Sequence, residues 1–224
     1  METIPAWDKL YREGAHLSIW PWSDLVSYVK RYFHPKSESF RVLELGCGPG
    51  ANIPFFKYLD AAYYAIEGSP AIVSLLKEKY PEYAATIVQG DFTKEIPFGL
   101  QFDLIVDRAS LTHNATPEIK KCLGLVHKHL AGDGMFIGID WFSTEHSDYR
   151  LGEAADEPYT RKNISIGQFS GVGKVHFSDK QHLLSLFEGF EITRLEHKII
   201  EREIPEDKHR FASWNLVAVK KQTL

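Results

Sequence analysis

Two acidic positions and a cluster of glycines concentrate the chemistry this chain can do. In RVLELGCGPGAN, residues 41–52, an apolar run carrying Glu44 ends at Gly46, and Gly48 and Gly50 follow. Glycine lets a ligand approach the backbone and tolerates positive φ, and a helix that begins after such a turn offers unpaired N–H groups. About 20 residues past the first glycine, AAYYAIE closes on Glu67, whose carboxylate can accept hydrogen bonds from both hydroxyls of a ribose. The glycines alone are equally explained by a tight strand-to-helix turn; with Glu67 they point to a nucleoside. A second cluster, YTRKNISIGQFSGVGKVHF, sets Tyr159, Arg161, Lys162, Lys174 and His176 among Gly167, Gly171 and Gly173. Such cations can meet a carboxylate or phosphate on a small molecule, although a solvated loop has the same composition.

The elements that must position these residues follow from the apolar pattern. Runs rich in β-branched or aromatic residues at 41–46, 62–67, 85–89, 102–107 and 134–142 read as strands, and 21–33, 51–59, 70–79, 117–130 and 179–188 read as helices. Such alternation predicts an α/β fold, a parallel sheet covered on both faces. Pro70 and Pro117 suit the first helical turn, with Ser69 and Thr116 as N-caps. FEITRLEHKIIE and SWNLVAVKK have no room for a full helix between them and should pair antiparallel. The organisation expected is one domain over 1–224: an N-terminal helical cap (1–40), a core (41–142), an insertion (143–178), and a closing helix and strand pair (179–224). The insertion is too long for an ordinary connection and should carry function.

Composition narrows the partners. At 224 residues the chain can bury one full core. Its net charge of −4 gives no basic field to draw nucleic acid or an anionic membrane. Cys47 and Cys122 make no disulfide framework or zinc spacing. The N-terminus lacks the apolar core of a signal peptide, and no run approaches membrane-spanning length, so a cytoplasmic protein is expected. Gly46-x-Gly48-x-x-Ala51 also fits a relaxed dinucleotide fingerprint, which raises an NAD-dependent reductase. The one Tyr-x-x-x-Lys match, Tyr32 to Lys36, precedes the glycine turn and contains Pro35, which would disrupt the helix such a pair needs.

With VLELGCGPG, YAIEGSP, IVQGDF and FDLIVDRASLTHN in this order, the chain resembles the class I S-adenosylmethionine-dependent methyltransferases over roughly residues 40–142 and 179–221. The resemblance implies a Rossmann-like, seven-stranded, mostly parallel sheet with an antiparallel last strand, and S-adenosyl-L-methionine as cofactor across the strand ends. It implies that Glu44 and the backbone around Gly46, Cys47 and Gly48, with Asn52, hold the methionine part. Glu67 would hold the ribose hydroxyls, Gly68 and Ser69 border the adenine, Asp91 meet its exocyclic amine and Phe92 pack on the ring. The segment from Asp107 through Arg108 to Leu111 would pass beneath the sulfonium. DRASL departs from the usual small or polar residues there and resembles thiopurine methyltransferase-like enzymes, so Arg108 is expected to face the acceptor or pair with an acidic neighbour. WDKLYREG and WPWSDLVSYV resemble a segment that folds over the donor, with Trp7, Tyr11, Trp20 and Trp22 as lid residues; aromatic faces attract a cation.

A base is needed only if the acceptor must lose a proton. His113, just past the fourth strand, is the first choice because neutral imidazole is available near pH 7. Asp140 and His176 come next, while Tyr159, Arg161 and Lys174 are expected to bind the acceptor. His127 and His129 point to different helix faces, and no metal is expected. The reading is a methyltransferase for a small molecule, monomeric or homodimeric, without nucleic-acid or membrane partners. An RNA or protein methyltransferase and a non-catalytic donor-binding regulator are the alternatives.

Overall fold

The computed structural model describes residues 3–37 and 39–221. Two helices, α1 (Thr3–Arg12) and α2 (Ser23–Tyr32), precede an alternating core. That core runs β1 (Arg41–Leu45), α3 (Ile53–Tyr58), β2 (Ala62–Glu67), α4 (Pro70–Lys79), β3 (Ile87–Gln89), β4 (Phe102–Arg108), α5 (Thr116–His129) and β5 (Leu130–Phe142). Then come β6 (Glu153–Ala154), β7 (Thr160–Lys162), β8 (Val175–His176), α6 (Lys180–Leu186), β9 (Phe190–Glu201) and β10 (Arg210–Lys220).

Seven strands form one sheet in the order β3-β2-β1-β4-β5-β10-β9, with β10 antiparallel to both its neighbours. Successive side chains of a strand face opposite ways. Val42 accordingly packs with α2, α3 and α4 through Leu25, Ile53 and Leu76. Leu43 and Leu45 pack on the other face with α5 and α6 through Ile119, Leu123 and Leu183. Both faces being covered explains why β1 and β4 are largely apolar rather than alternating, with Glu44 and Asp107 buried among the apolar residues. Chain direction across the sheet reverses between β1 and β4, and the crevice at that switch lies at the strands' carboxyl ends.

Ser69 caps α4 as expected, its Oγ accepting the Ile72 N–H at 3.2 Å. Thr116 does not cap α5: the helix takes it as its first residue, and Ala115 stands at the cap without a side-chain bond. β5 begins at Leu130 rather than 134, because pairing of Phe102 with Leu130 resumes across a register shift that absorbs Gly132 to Gly134. The stretch 143–178 holds a second sheet, β6-β7-β8, over its own apolar cluster of Phe142, Ile164, Phe169, Val172, Val175 and Phe177 with Ala109. Among the described residues no helix is long and apolar enough to cross a membrane.

Candidate active site

The turn after β1 is held by its neighbours on both sides. The Gly46 N–H donates to the Ile66 carbonyl at 2.8 Å, and the Ser110 Oγ donates to the Gly46 carbonyl at 2.9 Å. At φ +63 a Cβ on Gly46 would stand 2.5 Å from the Ser110 Cβ, so this position admits glycine alone. The buried Glu67 carboxylate accepts the Gly48 N–H at 2.9 Å and the Ser69 N–H at 2.8 Å. Two of its roughly four acceptor sites are thereby taken, which leaves acceptor capacity for a ribose diol. Burial raises the Glu67 pKa, opposed by those N–H bonds. Glu44 is buried behind the turn, accepting from Asn52 Nδ2 at 2.7 Å and from the Tyr63 hydroxyl at 2.6 Å; burial pushes its pKa up to about 7. Asn52 Oδ1 in turn accepts the Trp22 N–H at 3.2 Å, tying the N-terminal segment to the turn.

These groups border one cavity of about 810 Å³. Asp91 and Phe92, just past β3, line it beside Glu67, Gly68 and Ser69. Asp91 Oδ1 accepts from Thr93 N–H and Oγ, and Oδ2 lies 3.1 Å from Lys94 Nζ; these partners outweigh burial and lower its pKa. The cradle thus fits a nucleoside cofactor: bare backbone at the glycines, a buried carboxylate with spare acceptor sites, and an ionised carboxylate beside an aromatic ring.

α1 closes one side. Asp8 accepts the Ser69 hydroxyl at 2.5 Å and the Ala71 N–H at 3.3 Å, anchoring α1 at the N-terminus of α4, where a negative charge is favoured. The Tyr11 hydroxyl would lie 3.1 Å from a Cβ on Gly48, and Ile4 2.8 Å from one on Gly68. The insertion closes the other side: Gln168, Phe169, Val172 and Lys174 line the cavity with Phe142. Trp7 of α1 meets His113 edge-on at 4.8 Å between ring centres, and His113 in turn bonds the Lys174 carbonyl of the insertion.

Of the residues expected at the donor, Glu44, Gly46, Cys47, Gly48, Asn52, Glu67, Gly68, Ser69, Asp91, Phe92, Arg108, Tyr11 and Trp22 all border the cavity. Asp107 does not. It is fully buried, with Oδ1 accepting the Ser110 and Leu111 N–H groups at 3.1 and 3.0 Å, so it braces the turn after β4. Trp20, expected in the lid, is 75% exposed and outside the lining.

The expected acid–base and acceptor residues divide. His113 lines the cavity, and its Nδ1 lies 3.1 Å from the Lys174 carbonyl. A carbonyl only accepts, so Nδ1 carries the hydrogen and Nε2 the lone pair. Burial lowers the His113 pKa to about 4, which makes it neutral at pH 7 but a poor proton acceptor. Asp140 is drawn away from the cavity by cations: Arg108 Nη2 at 3.0 Å and Lys198 Nζ at 2.5 Å, with the Ser213 hydroxyl at 3.1 Å. His176 is buried under the insertion, its Nδ1 3.0 Å from Thr160 Oγ and its Nε2 3.1 Å from His182 Nε2. Tyr159 stacks on His182 at 3.6 Å, and Arg161 lies over Tyr149 at 4.5 Å. Asp140, His176, Tyr159 and Arg161 therefore belong to packing and ion-pair networks, while Lys174 borders the cavity.

Ser110, Phe142, Phe169 and Val172 were not singled out by the sequence, nor was His16, which lines the mouth beside Trp7. The apolar residues between Gly167 and Gly173 were the available signal for Phe169 and Val172. Among the described residues one set of His, Cys, Asp or Glu brings three ligand-capable atoms within 4.8 Å: His146, Asp148 and His209. His146 Nδ1 already accepts the Asp148 N–H at 3.0 Å, and the set ties the insertion to the turn before β10 as a hydrogen-bond cluster.

Residues 42–134 match the family model described as a methyltransferase domain, and the sheet order and strand-end cavity agree with it. That match covers less than half of the chain; over it the chain is similar to methyltransferase domains, and its fold is the Rossmann-like, seven-stranded, mostly parallel sheet. The malonyl-acyl-carrier-protein O-methyltransferase of Bacillus cytotoxicus is 28% identical over 150 residues, 64% of this chain and 50% of that protein. The chain thus spans about half the length of that curated relative. The structure reported for conversion of a disulfide bond into a thioacetal group during echinomycin biosynthesis aligns with a TM-score of 0.68 and 18% identity, over 97% of this chain and 93% of that one. The glycopeptide N-methyltransferase MtfA complexed with sinefungin aligns with a TM-score of 0.64 and 18% identity, over 95% and 91%. These structural likenesses show a shared fold.

Proposed function

We propose that the protein transfers a methyl group from S-adenosylmethionine to a small-molecule acceptor. The observation that carries this reading is the single cavity joining the Glu67–Asp91 cradle to a wall of aromatics, His113 and Lys174. Its volume of about 810 Å³ lies high in the range of small-ligand pockets, about 300–1,000 Å³, which suits a donor and a compact acceptor side by side. When bound, the donor supplies a sulfonium methyl already activated for displacement. The chain's own work is alignment and exclusion of water. Glu67 fixes the ribose end, the backbone of Gly46 and Gly48 the methionine end, and α1 with the insertion covers both. His113, held neutral by burial and tied to the Lys174 carbonyl, shapes the acceptor side of the cavity.

The relatives' names cover an O-methyltransferase of a malonyl-acyl carrier protein and an N-methyltransferase of a glycopeptide, so the fold specifies the donor more tightly than the acceptor. Calorimetric titration should show S-adenosylmethionine and its demethylated product binding and NAD failing to compete. Labelled-donor turnover against metabolites, bulk RNA and bulk protein should put label on small molecules. Tighter binding of NAD, or label confined to macromolecules, would overturn the proposal.

A further inference from the structure

We infer that the acceptor is an amphiphilic carboxylate, its anionic head held by Lys174 and Arg108 and its apolar tail by Trp7, Leu17 and Trp22. The inference rests on the methyltransferase reading above and adds the chemistry of the acceptor.

The first observation is the partnering of the cavity's cations. Three Lys or Arg residues line it: Lys94, Arg108 and Lys174. Lys94 is 3.1 Å from Asp91, and Arg108 Nη2 is 3.0 Å from Asp140. Among the described residues no carboxylate oxygen lies within 4.0 Å of Lys174 Nζ, though the residue is half-buried. A partly desolvated ammonium is stabilised by an anion brought to it. Arg108 borders the cavity as well, its side chain 27% exposed and its guanidinium 3.5 Å over the Trp22 ring. The planar fork of arginine suits a carboxylate. With Arg108 already balanced by Asp140, one unpaired cation remains, which matches the single charge of a carboxylate better than the higher charge of a phosphate.

The second observation is where the charges lie. Glu67 ends β2 and Asp91 follows β3 on one side of β1, whereas Arg108 ends β4 on the other, under the insertion that carries Lys174. The His113–Lys174 hydrogen bond joins that pair of elements. Glu67 and Asp91 thus lie at the donor, where Lys94 pairs with Asp91, and Arg108 and Lys174 lie opposite, with Glu118 an exposed acid at the rim and Glu44 bonded to Asn52 and Tyr63.

The third observation is the apolar strip at the mouth. Leu17 and Trp22 line the cavity yet remain 45% and 37% exposed, and between them Ile19 and Trp20 are 53% and 75% exposed. A short hydrophilic acid would leave this strip in water; an alkyl or aryl tail leaving the cavity would cover it.

The test titrates butanoate, octanoate, dodecanoate, octanamide and dodecyl phosphate, all below micellar concentration, into the full chain. It is read by calorimetry and tryptophan fluorescence, with and without the demethylated donor. Affinity for the acids should rise with length, approaching about fourfold per methylene where the tail is fully buried. Octanoate should bind at least tenfold more tightly than octanamide. Lys174→Gln should remove most of that preference while sparing octanamide, and Leu17→Ser should flatten the dependence on length while sparing butanoate. Both variants should bind the demethylated donor like the unaltered chain. Equal binding of acid and amide, absence of length dependence, or preference for the alkyl phosphate would overturn the assignment. Failure of the demethylated donor to bind would count against the methyltransferase reading, whereas the acid series would still decide the acceptor.

Discussion

Glu67→Gln probes the donor cradle with almost no change in volume. Both carboxylate oxygens accept backbone N–H groups, from Gly48 at 2.9 Å and from Ser69 at 2.8 Å, and the side chain is buried. Whichever way the new amide turns, its NH2 faces one of these donors and leaves it without an acceptor. An unsatisfied buried donor costs about 1–3 kcal/mol, so the ligand-free protein should lose that much stability in urea denaturation. The donor loses something separate, a charge-assisted hydrogen bond from a ribose hydroxyl worth about 1.5–3 kcal/mol. Calorimetry should therefore show Kd rising roughly 10- to 150-fold. Because burial raises the pKa of Glu67, its own protonation should narrow both differences toward acid pH. A folded variant with unaltered stability and a Kd within twofold of the parent would refute the placement of Glu67 at the ribose.

Asp107→Asn tests a buried carboxyl whose pKa burial pushes up from 3.8 to about 7 and whose Oδ2 has no partner. The native chain keeps this proton between about pH 4 and 7 where the unfolded chain has lost it, so stability falls as pH rises through that window, by at most about 4 kcal/mol; in the variant, denaturation midpoints should lose this slope. Gly46→Ala forces a Cβ against Ser110 at positive φ and should lower stability by about 1–3 kcal/mol and weaken donor binding, read by denaturation and calorimetry; an unchanged midpoint would contradict the packing of the turn. Asp8→Ala removes the contacts to Ser69 and Ala71, and hydrogen exchange in residues 3–12 should quicken while β1 and β4 stay protected.

What the sequence made legible is what local pattern determines. β1 and β4 are buried on both faces and read as largely apolar runs, and Gly46, Gly48 and Glu67 keep the spacing a nucleoside requires. β5 was cut short because Gly132-Asp133-Gly134 looks like a turn, whereas the sheet carries it across a register shift. Asp140 and His176 show the other limit. A residue's type announces that it can move a proton, but whether it is available depends on partners distant in sequence: Lys198 is 58 positions from Asp140, and Glu157 and His182 enclose His176. Asp8, 61 positions from Ser69, left no local trace for the same reason.

The docking of α1 against the glycine turn also has a consequence in time. Ile4 and Tyr11 stand over the backbone that receives the donor, and Asp8 latches the helix to the start of α4. A donor bound beneath α1 would be covered by this latch, so opening of the helix is expected to accompany its release. Such an arrangement would let the undocking of ten residues, instead of bond making, set the slow event of a cycle, a common division of labour where covers seal a site. Shortening the latch would then speed release and loosen retention together, and the interval between turnovers would become a property of the first dozen residues of the chain.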